Sequence, residues 1–263
     1  IIQFKKIDLA KCPMTITVII PTYRRPNDLQ RCLEALKNQT RPADEVLVIV
    51  RDSDIETWAF LENFNLDSLP LGTVKVTIPG QVAALNAGLD KAKGEIISIT
   101  DDDASPHADW LEKIEAHFLA DKTVGGVGGR DFLYINNQLV EGAKKTVGKL
   151  HWFGRAIGNH HLGVGESREV DILKGANMSF RKNAIAGLRF DERLRGTGAQ
   201  VHNDLMFCLN ATGPIFLMMV FGLFLRKVGI LDEDFANRMN KFVFKIPLPF
   251  LLFSDLAAVD FSR

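Results

Sequence analysis

The chain has 263 residues, 46% of them hydrophobic, and its 32 Lys+Arg balance 32 Asp+Glu to a net charge of zero. That length buries a substantial core in one large α/β domain or two small ones, and the balanced charge leaves no basic excess for a nucleic-acid partner. Cys12, Cys32 and Cys208 are widely spaced with no C-x-x-C pair, which argues against a zinc site or a disulfide framework and for a reducing compartment.

The chain opens on Ile1, and its first twelve residues lack the basic-then-apolar pattern of a signal peptide, as expected for a fragment. Residues 15–20 read as a first strand broken by Pro21, after which Asn27 or Asp28 caps a helix with Leu29, Cys32, Leu33 and Leu36 at helical spacing. A second strand at 45–50 ends in Arg51-Asp52-Ser53-Asp54, and a helical stretch with Trp58, Leu61 and Phe64 follows. Residues 74–78 alternate like a third strand, Pro79-Gly80 turn the chain, and residues 81–92 suit a helix.

The fourth strand is the apolar run Ile96-Ile97-Ser98-Ile99, which stops at Thr100-Asp101-Asp102-Asp103-Ala104-Ser105-Pro106. Three carboxylates at a strand tip repel one another unless a cation is present, and hard oxygen ligands suit Mg²⁺ or Mn²⁺ carried with a phosphate substrate. The alternative is a solvated acidic turn capping the next helix. The β-α-β-α-β-α-β order predicts an α/β, mostly parallel sheet with helices on both faces, whose ligands bind at the carboxyl ends of the strands. Three such ends carry polar groups: Thr22, Tyr23 and Arg25, then Asp52 and Asp54, then Asp101, Asp102 and Asp103. Three polar ends converging on one crevice favour a binding site over folding alone.

Residues 107–120 read as a helix burying Trp110, Leu111, Ile114 and Phe118. The glycine-rich stretch 124–130 lacks the G-x-x-x-x-G-K-[ST] pattern and reads as close packing. Residues 132–169 are polar and mixed and read as a loop over the site; His160 and His161 there lack the companions of a metal site. Another strand is expected at 170–173, before Lys174-Gly175-Ala176-Asn177. Asp204 enters an apolar helical run, as a helix-start residue or as a base.

The ordered set V-I-I-P-T-Y-x-R, the N-x-G of Asn86 to Gly88, D-D-D-A, W-L, G-A-N-M-S-F-R and N-D-L resembles the inverting family 2 glycosyltransferases of GT-A fold over residues 14–210. The resemblance implies a Rossmann-like sheet holding a nucleotide-diphosphate sugar donor, a D-x-D motif with a divalent cation (Mg or Mn), and a saccharide or lipid-linked acceptor. Carried over, Pro21, Thr22, Tyr23, Arg25, Asn86, Asp101 and Asp102 line the donor, with Asp101 and Asp103 on the metal. Gly175, Ala176 and Asn177 match the loop near donor sugar and acceptor, and Asp204 matches the catalytic base. The pattern departs at Arg51, so that either Asp52 or Asp54 substitutes for the base-reading acid, and at Asn203-Asp204, where the family commonly has Glu-Asp.

After Asn210 the composition changes. Residues 208–225 form a mostly uncharged run of 18, the lower limit for a membrane span, closed by Arg226-Lys227 on what would be a cytoplasmic side. A second run at 242–259 is interrupted by Lys245, Pro247, Pro249 and Asp255. The P-I-F-L-x-M-x-x-G and L-D-E-D-F-A-x-R-x-N-K patterns resemble the start of an auxin-efflux-type permease. The sequence thus predicts an incomplete GT-A domain over residues 1–210 and a hydrophobic helical segment over 211–263, read as a membrane hairpin with a buried core helix pair completing the domain as the alternative. The expected location is cytoplasmic, at the inner face of the cytoplasmic membrane. The rival readings are a sugar-phosphate nucleotidyltransferase, which wants glycines that residues 21–26 lack, and an inactive nucleotide-binding half joined to a transporter-like segment.

Overall fold

In the computed structural model the described residues are 13–65, 69–151 and 155–192, all within the first compact unit of the chain, Ile1–Ala211. The apolar tail expected at 211–263 and Asp204 lie outside them. Among the described residues no helix is long and apolar enough to cross a membrane.

β-Branched runs build the centre. Strands β1 (Ile16–Thr22), β2 (Glu45–Arg51), β3 (Leu71–Val76) and β4 (Ile96–Ile99) lie parallel, joined through helices α1 (Pro26–Lys37), α2 (Ile55–Asn63) and α3 (Gln81–Lys91). Helix α4 (Trp110–Ala120) leads to a short strand β5 (Gly126–Gly128). Two small hairpins follow, β6 (Tyr134–Ile135) with β7 (Gln138–Leu139) and β8 (Lys149–Leu150) with β9 (Ala156–Ile157). Strand β10 (Met178–Arg181) then runs antiparallel between β4 and β5, completing the order β3-β2-β1-β4-β10-β5. This is the mostly parallel sheet that the helix and strand periods predict.

Alternation along the strands feeds two cores. Ile16, Val18 and Ile20 of β1 and Val46, Val48 and Val50 of β2 pack under α1 and α4, against Leu29, Leu33, Leu111 and Phe118. Ile19, Leu47, Ile49 and Ile99 face the other way, onto Leu85 and Leu89 of α3 and onto Phe190. Gly88 permits that second approach, because a β-carbon there would lie 2.6 Å from Ile19 Cγ2. Each fully buried aliphatic side chain contributes about 1.5–3 kcal/mol.

Several local expectations change. Pro21 does not break β1; it pairs in register with Ile49. Thr100 N donates to Ile19 O, so the main chain two residues on faces the side where β4 has ended, and the missing N–H of Pro21 is not needed. Helix α1 starts on Pro26 at its first turn, with no side-chain cap from Asn27 or Asp28. Residues 170–173 form no strand: Asp171 N and Ile172 N both donate to Gly148 O, a point contact rather than a ladder, and the strand is β10.

Candidate active site

Parallel pairing brings the carboxyl ends of β1, β2, β3 and β4 to one edge, and Met178 of antiparallel β10 sits opposite Ile99 and Gly128 at that same edge. The loops after Thr22, Arg51 and Ile99 and the turn before Met178 therefore share a rim. Ligands of open α/β sheets bind at such a rim.

The carboxylate triplet divides into unlike members. Asp102 is 3% exposed; Thr22 Oγ1 donates to its Oδ2 at 2.8 Å and Arg25 Nη1 to its Oδ1 at 3.0 Å. Burial raises its carboxyl above the usual range, opposed by the Thr22 bond and the Arg25 charge. The same Arg25 nitrogen reaches exposed Asp103 Oδ2 at 3.1 Å. Asp101 is half-buried with one long contact, from Gln81 Nε2 at 3.3 Å. Burial, then Asp103, then Asp102 push its carboxyl up to about 6, while Lys174 and Arg25 pull it down.

This donor set fits a divalent cation. Asp102 is committed to Thr22 and Arg25, whereas Asp101 and Asp103 keep carboxylate oxygens available beside one another. Among the described residues no cluster of three or more His, Cys, Asp or Glu is arranged to hold a metal. Two carboxylates suit Mg²⁺ or Mn²⁺ completed by substrate phosphates and water rather than an all-protein cage.

The facing wall is the tight turn Lys174-Gly175-Ala176-Asn177, closed by Asn177 N donating to Lys174 O at 2.9 Å. Asn177 Oδ1 accepts from Trp110 Nε1 at 3.0 Å, and its Nδ2 donates to Asp131 Oδ1 at 3.3 Å. Lys174 Nζ lies 2.9 Å from Asp131 Oδ2. A β-carbon at Gly128 would stand 3.0 Å from Asn177 O, and one at Gly129 2.9 Å from Asn177 Nδ2. The glycine-rich stretch thus lets the turn seat closely on β5. Sequence reasoning missed three neighbours of the predicted residues: Lys174 adjoins G-A-N, whereas Gln81 reaches Asp101 and Asp131 reaches Asn177 and Lys174 only in space.

Other expected residues are placed differently. Asp54 is 1% exposed and caps α2: its oxygens accept from Thr57 N at 3.1 Å, Thr57 Oγ1 at 2.7 Å and Arg24 N at 2.6 Å. It holds the first loop, including left-handed Arg24 (φ 56°), and leaves Asp52, paired with Arg51 at 3.0 Å, as the more accessible acid on the second loop. Asn86 turns from the rim to the Phe190 main chain, accepting from N at 2.9 Å and donating to O at 3.1 Å. Its amide anchors the chain rather than facing a donor. Pro21 is buried in β1, and Tyr23 is 48% exposed at the rim. His160 Nε2 bonds Ile172 O at 2.9 Å, a structural role. A cavity lined by Met14, Lys93, Glu95 and Arg181 lies at the opposite, amino end of β1 and β4.

Comparison with known proteins agrees with this geometry. Over 126 residues the chain is 34% identical to glycosyltransferase AglE of Haloferax volcanii, covering 46% of this chain and 41% of that protein. Over 109 residues it is 28% identical to glycosyltransferase GlyA of Streptococcus pneumoniae, covering 41% of this chain and 15% of that protein. The chain therefore spans less than half the length of these relatives. Residues 1–349 of S. aureus TarS, solved in complex with UDP, share the fold at a TM-score of 0.56 and 21% identity, over 75% of this chain and 55% of that one. Residues 207–262 match the Membrane transport protein family, in keeping with the permease-like tail. Residues 17–189 match the family described as Glycosyl transferase family 2, and the chain belongs to that family.

Proposed function

We propose that the chain is a metal-dependent, inverting glycosyltransferase that moves a sugar from a nucleotide-diphosphate donor to a hydroxyl of a saccharide or lipid-linked acceptor. One observation carries the reading: Asp101 and Asp103 stand at the carboxyl edge between cationic Arg25 on the β1 side and Lys174 on the β10 side. Such an edge takes a diphosphate, with Thr22, Tyr23 and Asp52 on the nucleoside side and Gly175, Ala176 and Asn177 toward the sugar. The S. aureus TarS domain, similar in fold, is solved with UDP and with UDP-GlcNAc, which supports a nucleotide-sugar donor class.

Asp101 and Asp103 would hold the cation, which when bound offsets the charge that grows on the departing diphosphate. Arg25 bridges Asp102 and Asp103 and so orients both carboxylates, and Lys174 adds a positive charge from the facing wall. Loss of one such electrostatic contact costs about 3–4 kcal/mol, or roughly a hundred- to thousandfold in rate. The acceptor hydroxyl needs a base, and Asp204 is the residue assigned to it. Residues 1–210 would form the catalytic domain, and residues 211–263 would contact a membrane at the inner face of the cytoplasmic membrane.

The test is calorimetric titration of the purified chain with UDP, GDP and dTDP, with and without Mn²⁺, beside Asp103→Ala. Cation-dependent binding of one nucleotide, lost in the variant, is expected; a folded chain that binds none of them refutes the proposal. The match of residues 207–262 to a membrane transport family favours a second reading, a nucleotide-binding half fused to a transporter segment. It predicts nucleotide binding without donor hydrolysis or transfer, and with no further effect of Asp204→Asn.

A further inference from the structure

Residues 132–139 stand apart from both cores. The hairpin of β6 and β7 turns at Asn136 and Asn137, both left-handed (φ 50° and 60°), and every residue from 132 to 139 is exposed. Phe132, Leu133, Tyr134, Ile135 and Leu139 are 47%, 38%, 63%, 56% and 37% exposed. Phe132 to Ile135 are four consecutive apolar residues and Leu139 pairs across the hairpin with Tyr134, whereas isolated surface hydrophobes need no explanation. A lone two-stranded hairpin is marginal in water, so its apolar side chains are unspent folding energy unless something covers them.

Its chemistry narrows what the cover is. Tyr134 is the cross-strand partner of Leu139, and strand alternation puts Leu133 and Ile135 on the other face, so both faces are apolar. A protein groove takes one face of a strand pair; a fluid apolar phase takes both. Arg130, Lys144 and Lys145 flank the hairpin, all exposed and none ion-paired among the described residues, while Glu141 is the single acid within 132–149. Phe132 sits under the Arg130 guanidinium at 5.2 Å and beside the His107 ring at 5.3 Å, which ties the base of the hairpin to the loop between β4 and α4. Aromatic and aliphatic side chains flanked in sequence by cations match the interfacial layer of an anionic bilayer. The match of residues 207–262 to a membrane transport family puts a bilayer-type segment in the same chain.

We infer that the hairpin 132–139 is a membrane-surface anchor, seated in the headgroup region of an anionic bilayer. Its apolar side chains enter the interface, and Arg130, Lys144 and Lys145 meet the lipid phosphates, each adding roughly fivefold to partitioning.

The test uses the full chain with Gln138→Cys, and with Cys12 and Cys208 replaced by Ser, labelled with an environment-sensitive fluorophore. Cys32 is buried and its thiol is pushed up to about 12, so it does not label. Phosphatidylcholine vesicles are compared with vesicles containing phosphatidylglycerol. The expected result is a blue-shifted emission quenched by headgroup-region nitroxide lipids on the anionic vesicles only. Tyr134→Ser with Ile135→Ser should weaken that signal roughly tenfold or more, with an unchanged circular dichroism melt. A chain that floats with vesicles while the hairpin probe stays in water overturns the inference, since the tail alone then binds. So does a shift seen without vesicles that grows with protein concentration, which marks a second copy as the cover, or an equal shift on uncharged vesicles.

Discussion

The Lys174 ammonium and the Asp131 carboxylate form an ion pair, 2.9 Å from Nζ to Oδ2, that links the turn before β10 to the end of β5. Together with Arg25 it brackets Asp101, and both cations draw that carboxyl down. Lys174→Met is expected to weaken nucleoside diphosphate binding about ten- to a hundredfold, the range of a charge-assisted bond. Affinity for the free nucleoside should hardly change. Calorimetry with the two ligands separates a phosphate contact from general damage.

The second loop offers two acids with different duties. Asp54→Ala strips partners from Arg24 N, Thr57 N and Thr57 Oγ1 at a buried cap, and should cost about 2–3 kcal/mol in urea unfolding. Asp52→Ala should leave the urea midpoint almost unchanged, because a surface ion pair contributes about 0–1 kcal/mol. If Asp52 reads the base, only that variant lowers nucleotide affinity in a stable protein.

Asp101 should titrate visibly in the cation-free protein. Its carboxyl is raised to about 6 in the folded chain, so the folded state holds this proton more tightly than the unfolded one. Its stabilising contribution is present below about pH 4 and is lost as pH rises through about 6. With EDTA present, Asp101→Asn should therefore raise the melting temperature above neutral pH and have no such advantage below about pH 4. A constant difference across that range would show that burial and Asp103 do not perturb the group.

Asn86→Ala removes two reciprocal bonds to the Phe190 main chain, both buried. The expected loss is about 2–4 kcal/mol on chemical denaturation. Nucleotide affinity measured well below the unfolding midpoint should stay at the wild-type level, since both ends of this amide are engaged by the Phe190 main chain.

By itself the sequence determined the four parallel strands and the carboxyl edge they share. The runs at Ile16, Val46 and Ile96 carry their period in consecutive residues, and parallel connection through helices brings their ends together whatever the side chains do. Asp101, Asp102 and Asp103 are therefore legible as one cluster from order alone. What only tertiary structure decided is which member does what. Asp102 is spent on Thr22 and Arg25 and Asn86 on Phe190, partners 77 to 104 residues away, while Asp54 adds the Arg24 main chain, 30 residues back, to a local cap on Thr57. Lys174 and Asp131, 43 positions apart by number, meet because β10 runs back between β4 and β5, an antiparallel insertion with no local signature. Periodicity reports the path of the chain, whereas hydrogen-bond partners depend on which surfaces the finished sheet brings within 3 Å, a distance at which a residue type has no meaning without its neighbour.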